Sequence, residues 1–223
     1  MRAFVDGVEL TGRSDFYLTR AEGLSPDAAS VHTEDFAFRD GAAFMGATVG
    51  ARRIVLVLKP VRDPEEAREA VYGLFPLKES VTLRFRTASK DVTATGYVER
   101  VECDLFARVQ AVEVSVLCMD PYFYDVSETS MVAGKVQNDG LPVGVVATSS
   151  GSVSDGTRIF SLTGWTGTYY LDTREGRKSV KDGNGNSLVQ YISSGAGWPT
   201  AGKGETTFTG ATTLKIRQRW LGC

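Results

Sequence analysis

The sequence predicts a mainly β protein of two domains, a sheet-rich α+β domain over 1–123 followed by an antiparallel β-sandwich over 124–223. Three observations carry this. Val112, Val114, Val116 and Cys118 alternate with Glu113, Ser115 and Leu117, the period of a strand with one buried face. A single stretch, Asp63 to Pro76, has the pattern of a helix. After Phe123 the texture changes to short apolar runs separated by glycine, asparagine, serine and aspartate.

Taken in order, Asp6-Gly7 between Ala3-Phe4-Val5 and Val8-Glu9-Leu10 predicts a tight hairpin, because a type I′ turn needs positive φ at both central residues. From Leu24 to Ala51 the pattern weakens into alanines, glycines, Pro26 and mixed charges, which predicts a long irregular segment. Such a segment is either functional or a surface excursion. Val55 to Leu58, four apolar residues in a row, predict a strand covered on both faces.

Asp63 is placed to cap a helix, Pro64 suits its first position and Glu66 stands three residues after the cap. Ala67, Ala70, Val71 and Leu74 then form one apolar stripe, which Pro76 ends. Val81, Leu83 and Phe85 alternate with Thr82, Arg84 and Arg86 as the next strand. In the second half the expected strands are 145–147, 160–162, 169–171, 188–192, 206–208 and 214–220, with Leu214, Ile216, Gln218 and Trp220 on one face and Lys215, Arg217 and Arg219 on the other.

The segment Cys118-Met119-Asp120-Pro121-Tyr122-Phe123 reads as a domain joint. Pro121 has no N–H for a ladder and drives Asp120 toward an extended conformation, so the strand must stop there. Tyr122 and Phe123 are expected to pack as a wedge between domains rather than as a stacking platform for a ligand.

Charge is balanced, 25 Lys and Arg against 27 Asp and Glu, so no overall field draws the chain to nucleic acid or to anionic lipid. No apolar run approaches the roughly 20 residues that cross a bilayer, and a soluble protein made in a cytoplasm is expected. The three cysteines, 103, 118 and 223, match neither a disulfide framework nor a zinc spacing, and Cys103 and Cys118 fall on strand patterns that could point them inward. No metal and no cofactor is expected.

Two motif-like stretches fail on inspection. In Gly197 to Gly204 a glycine replaces the hydroxyl residue of a phosphate-binding loop, and a strand rather than a helix should follow. Asp182-Gly183-Asn184-Gly185-Asn186 begins like a calcium loop but has Ser187 and Ser193 where glycine and glutamate are needed, so a turn explains it better. His32, the sole histidine, has no recognisable nucleophile motif beside it, and no enzyme is expected.

With its flanks, the joint hexapeptide resembles the distal tail protein family, ring-forming components at the tail tip of long-tailed, non-contractile bacteriophages. The resemblance runs through Val5 to Leu10, Gly46 to Ile54, Leu74-Phe75-Pro76, Gly96 to Glu99, Leu171 to Gly176, Trp198-Pro199 and Arg217 to Gly222. Met119 departs from it, standing where proline is common. The resemblance implies a tail-tube-like first domain that forms a homo-hexameric ring between the tail tube protein and the tail-tip hub. It also implies a galectin-like second domain projecting outward as docking surface for receptor-binding or fibre proteins. The protein would be assembled in the bacterial cytoplasm and end in the virion. The segment 24–51 would reach toward a neighbouring subunit, with His32, Asp35, Phe36, Phe38, Arg39, Phe44 and Met45 as its contact residues.

An alternative of another class is a carbohydrate-binding sandwich. Trp165, Tyr169, Tyr170 and Trp198 could offer flat faces to sugar rings. Against it, the second half has no histidine and no Trp-x-x-Glu, both part of the galectin sugar signature.

Overall fold

The computed structural model describes residues 1–26, 28–61, 63–105 and 110–223. They form two units, Met1–Phe123 together with Leu221–Cys223, and Tyr124–Trp220. The last three residues therefore belong with the first unit rather than with the second, as the 124–223 boundary had it. The reason is a set of main-chain bonds: the Leu221 carbonyl accepts from Arg52 Nη2, the Gly222 carbonyl from Lys90 Nζ, and the Cys223 N–H donates to the Leu24 carbonyl.

The first unit contains β1 (Arg2–Val5), β2 (Val8–Glu9), β3 (Phe16–Glu22), β4 (Ala29–Asp35), β5 (Ala42–Val49), β6 (Arg52–Pro60), α1 (Pro64–Leu74), β7 (Ser80–Arg86), β8 (Asp91–Cys103) and β9 (Val112–Cys118). Seven strands run in the order β2-β1-β7-β8-β9-β6-β3, all antiparallel. Asp6 and Gly7, at φ 45° and 86°, make the expected β1–β2 turn. Alternation puts Ala3, Val5, Leu83, Phe85, Val92, Val114, Val116, Ile54, Leu56 and Leu58 in the core. Each large apolar side chain so buried contributes about 1.5–3 kcal/mol. Val55 and Val57 are only half-buried, so β6 is fully covered on one face alone, not on both.

The helix forms as its sequence requires. Asp63 Oδ1 accepts the N–H groups of Glu65 and Glu66 at 2.9 and 3.3 Å, Ala67 and Val71 are buried, and the element packs on β6. Segment 24–51, expected to be irregular, is instead an antiparallel hairpin of β4 and β5, paired from Ala29↔Val49 to Asp35↔Ala42. Every residue of β4 is exposed. A ladder needs only backbone partners, and a strand with no buried face is under no pressure to alternate, so the pattern that betrays other strands is missing here.

Arg52 ties the irregular parts of this unit together. It shares the inward parity of Ile54, Leu56 and Leu58 and is completely buried. Its Nε donates to the Pro121 carbonyl at 2.7 Å, Nη1 to the Gly23 and Ser25 carbonyls at 2.6 and 2.7 Å, and Nη2 to the Leu221 carbonyl at 2.5 Å. The guanidinium lies 4.9 Å from the centre of the Phe123 ring, which stands edge-on to Phe85 with the ring centres 6.1 Å apart. Gly23 permits this approach: at φ +76° a Cβ there would stand 2.1 Å from the Arg53 carbonyl oxygen. Phe123 is thus packed into the core of the first unit. A ring able to stack on a buried cation and on Phe85 gains more there than at an edge.

The second unit contains β10 (Phe123–Asp125, starting on the last residue of the first), β11 (Thr129–Ser130), β12 (Lys135–Asn138), β13 (Val143–Gly144), β14 (Val146–Ser154), β15 (Ile159–Phe160), β16 (Tyr169–Asp172), β17 (Ser179–Asp182), β18 (Thr200–Ala201), β19 (Gly204–Thr207), β20 (Thr209–Ile216) and β21 (Arg219–Trp220). A six-stranded antiparallel sheet has the order β11-β20-β14-β16-β17 with β15 beside β14, and β12–β19 and β13–β18 are two short pairs. Residues 188–192, expected as a strand, hold a 3-10 turn over Val189–Tyr191. A short apolar run does not distinguish the two by period. The expected strand 214–220 is divided between β20 and β21, yet Leu214, Ile216 and Gln218 are buried as its parity required. Asn138 closes the loops of this unit: its Nδ2 donates to the carbonyls of Leu141, Ala201 and Gly202, and its Oδ1 accepts from Gly140.

Three consequences can be measured. Asp63→Ala should lower stability by about 1 kcal/mol in urea unfolding, the usual worth of a cap. Arg52→Met leaves four carbonyls without this donor and should cost at least about 3 kcal/mol, read as lost hydrogen-exchange protection in β6 and β9. Bidentate hydrogen bonding from Arg84, helped by Arg86, holds Asp91 at about 2, below its ordinary 3.8. Its contribution is therefore complete above about pH 4 and lost as pH falls through about 2. Asp91→Asn should then lose less stability than the parent between pH 7 and pH 2. Equal losses would show the pair to be inert.

Candidate functional site

The described residues hold no grouping of three or more His, Cys, Asp or Glu arranged to bind a metal. His32 sits on β4 with its Nε2 3.3 Å from the Thr48 hydroxyl, an exposed pair across the hairpin. All three cysteines are free, Cys118 is buried and Cys103 and Cys223 are partly so. Burial pushes the Cys118 thiol up to about 11, so it is protonated and unreactive at neutral pH. The Asp182 carboxylate, the start of the calcium-like run, accepts from the Asn184 and Asn186 N–H groups and from Asn186 Nδ2, bonds that belong to a turn. From Gly204 the chain runs as β19, a strand and not a helix that could turn its N-terminus toward the glycine-rich stretch before it.

What stands out is the β4–β5 hairpin. His32, Asp35, Phe38, Arg39, Phe44 and Met45 are all exposed on it, and Phe36 is half-buried. Phe38 is as exposed as an isolated side chain, while Phe44, Met45 and Val31 are 69%, 62% and 59% exposed. Arg39 covers the Phe36 ring at 3.7 Å, and the Phe36 N–H reaches the Gly41 carbonyl to close the tip. The register shifts between His32 and Thr33, so Met45 is the extra residue of a bulge, and the following Gly46 has φ 150°. A bulge adds twist and re-aims side chains. Large apolar groups on a ladder with no covered face, beside Glu34, Asp35 and Asp40, form a surface suited to protein contact and costly to leave in water.

The base of this hairpin is where Arg52 matters. β5 ends at Val49 and β6 starts at Arg52, whose guanidinium grips Gly23 and Ser25 just ahead of β4. One side chain thereby joins the chain entering the hairpin to the chain leaving it. Sequence reading singled out the tip and missed the base. The signal was present, since Arg52 occupies the inward parity of an otherwise apolar strand. Of the joint residues, Cys118 is buried opposite Arg52, Pro121 supplies a carbonyl to it and Phe123 its ring contact. Asp120 is exposed and accepts the Tyr122 N–H at 3.1 Å, and Tyr122 is half-buried.

The four aromatics of the second unit do not form one platform. Tyr169 is buried, with its hydroxyl donating to the Gly151 carbonyl, while Tyr170, next in the strand, points the other way and is 50% exposed. Trp198 packs on Phe160 at 5.0 Å, with the Lys178 ammonium 5.8 Å from the centre of its ring, and Trp165 packs on Tyr191 at 5.5 Å. Tyr169 is thus removed as a sugar contact by strand alternation. Of the four, Tyr170 alone is exposed, at 50%.

No family model and no curated protein matches this sequence. Solved structures do. The chain is similar to SPP1 Dit (gp 19.1), described as a paradigm of the hub adsorption apparatus in phages that infect Gram-positive bacteria. The TM-score is 0.73 and the identity 17%, over 98% of both chains. It is also similar to a chain of the phage P2 baseplate in its activated conformation with calcium, TM-score 0.57 at 10% identity, covering 100% of this chain and 99% of the other. The same baseplate with strontium gives TM-score 0.57 at 9% identity and the same coverage. From end to end, the chain has the fold of a Dit-like tail protein.

Proposed function

We propose that this chain is a structural component of a phage tail tip, a homo-oligomeric ring that joins the tail tube to the tip hub. The observation that carries this reading is the correspondence to SPP1 Dit over 98% of both chains. The hairpin supports it. A protein that exposes Phe38, Phe44 and Met45 on an uncovered two-stranded hairpin gains by covering them with copies of itself in a closed ring. In this reading β4 and β5 reach a neighbouring subunit through Phe38, Phe44 and Met45. The ring has six members by resemblance, and the second unit offers surface to receptor-binding or fibre proteins. Assembly takes place in the host cytoplasm and the product resides in the virion. Catalysis has no part in it.

Light scattering on a gel-filtration column tests the reading. A mass of six chains of 24.1 kDa each, with a six-fold annulus in electron micrographs, is the expected result. A particle that stays monomeric both alone and with tail-tip hub protein would overturn it. Phe38→Asp with Phe44→Asp should weaken association at least about tenfold while changing monomer stability by no more than about 0.5 kcal/mol, because both side chains are exposed. Intact rings from that variant would remove the hairpin from the contact.

A further inference from the structure

The base of the hairpin is held by more than Arg52. Leu221, Gly222 and Cys223 lie against the same loop, each through a main-chain group. The Leu221 carbonyl shares the Arg52 guanidinium with the Gly23 and Ser25 carbonyls. The Gly222 carbonyl accepts from Lys90 Nζ at 3.0 Å, and the Cys223 N–H donates to the Leu24 carbonyl at 3.0 Å. Packing is equally close: a Cβ on Gly222 would stand 2.8 Å from Pro26 Cδ and 3.1 Å from the Leu24 carbonyl oxygen. The loop so held, Gly23 to Pro26, lies between β3 and β4 and leads the chain into the hairpin.

We propose that Leu221–Cys223 is a latch that fixes the base of the β4–β5 hairpin, so that releasing it frees the hairpin without unfolding the sheet. The physical argument is one of cooperativity. β4 is exposed along its whole length and β5 has no buried residue, so their own ladder and their base set the direction in which they point. At the base, the Gly23, Leu24 and Ser25 carbonyls each need a donor, and two of those donors come from Arg52 while one comes from the tripeptide. Withdrawing the tripeptide uncovers the Arg52 guanidinium to water and leaves the Leu24 carbonyl unpaired. The seven-stranded ladder is untouched, because none of its pairings uses residues 221–223. A ring contact made through the hairpin would then depend on residues that are not in the contact. That consequence rests on the proposed function; the latch itself does not.

The test compares the full chain with Gly222→Leu and with a chain lacking 221–223, by hydrogen–deuterium exchange and by light scattering. Peptides covering 22–31 and 46–53 should exchange at least about tenfold faster in both variants, with β7, β8 and the second unit unchanged. Unchanged exchange at 22–31 in the chain lacking 221–223 would overturn the latch. Should protection be lost throughout, Lys90→Met, which removes one donor to the tripeptide and leaves Arg52 in place, decides instead by the same peptides. The scattering arm reads the other question. Variants that are monomeric beside a ring-forming parent support a hinge set by the latch. A parent that never associates overturns the ring reading while the exchange result stands by itself.

Discussion

A cation buried among carbonyls organises the first unit. Taking a guanidinium out of water costs several kcal/mol, and a buried charge persists only where donors and acceptors are matched. Here the matching is done by main chain. Pro121, Gly23, Ser25 and Leu221 belong to segments that make no regular ladder at those carbonyls, and the guanidinium supplies each of them with a donor. A planar fork with five N–H groups can serve them all at once and still present its face to Phe123. Lysine, with a compact ammonium, could not.

The position of that charge separates two kinds of β-structure. On one side is a sheet whose strands are specified by burial: slipping β6 or β9 by one residue would turn Ile54, Leu56, Val114 and Val116 to solvent. On the other is a hairpin whose pairing is just as regular but whose side chains have no core to enter. The outer face of the sheet is dressed with cross-strand pairs such as Arg53–Glu99 and Arg100–Glu113. Such exposed pairs add little stability individually, but they keep that face wet. The hairpin, by contrast, exposes Val31, Phe38, Phe44 and Met45 together on one short element.

The second unit solves the same problem with a neutral group. Asn138 gives its two amide protons to three carbonyls and accepts one N–H. Buried Thr173 donates to Pro199 and accepts from Val145 at 2.7 Å each. Short strands joined by turns expose many main-chain groups to burial, and a side chain with both donors and acceptors can serve several of them without a desolvated charge. Aromatic residues fill the interior between these loops, which explains why Tyr169, Trp165 and Trp198 are packing residues before they are anything else.

The sequence by itself determined the elements whose side chains meet a core or a cap. Alternation at 112–118 and 81–86, the capped helix at 63–76, the Asp6-Gly7 turn and the buried parity of Leu214, Ile216 and Gln218 were all legible, because burial and capping demand particular residue types at fixed spacing. So was the mainly β, Dit-like character, through short matches in a fixed order. Tertiary structure alone decided the rest. The hairpin at 29–49 carries no period because nothing covers it, and the 3-10 turn at 189–191 and a strand have the same short apolar signature. Arg52, Phe123 and the return of 221–223 to the first unit depend on carbonyls from residues 23, 25, 121 and 221 meeting one side chain. Main-chain acceptors are the same in every residue, so no pattern of side chains announces where a buried cation will find them.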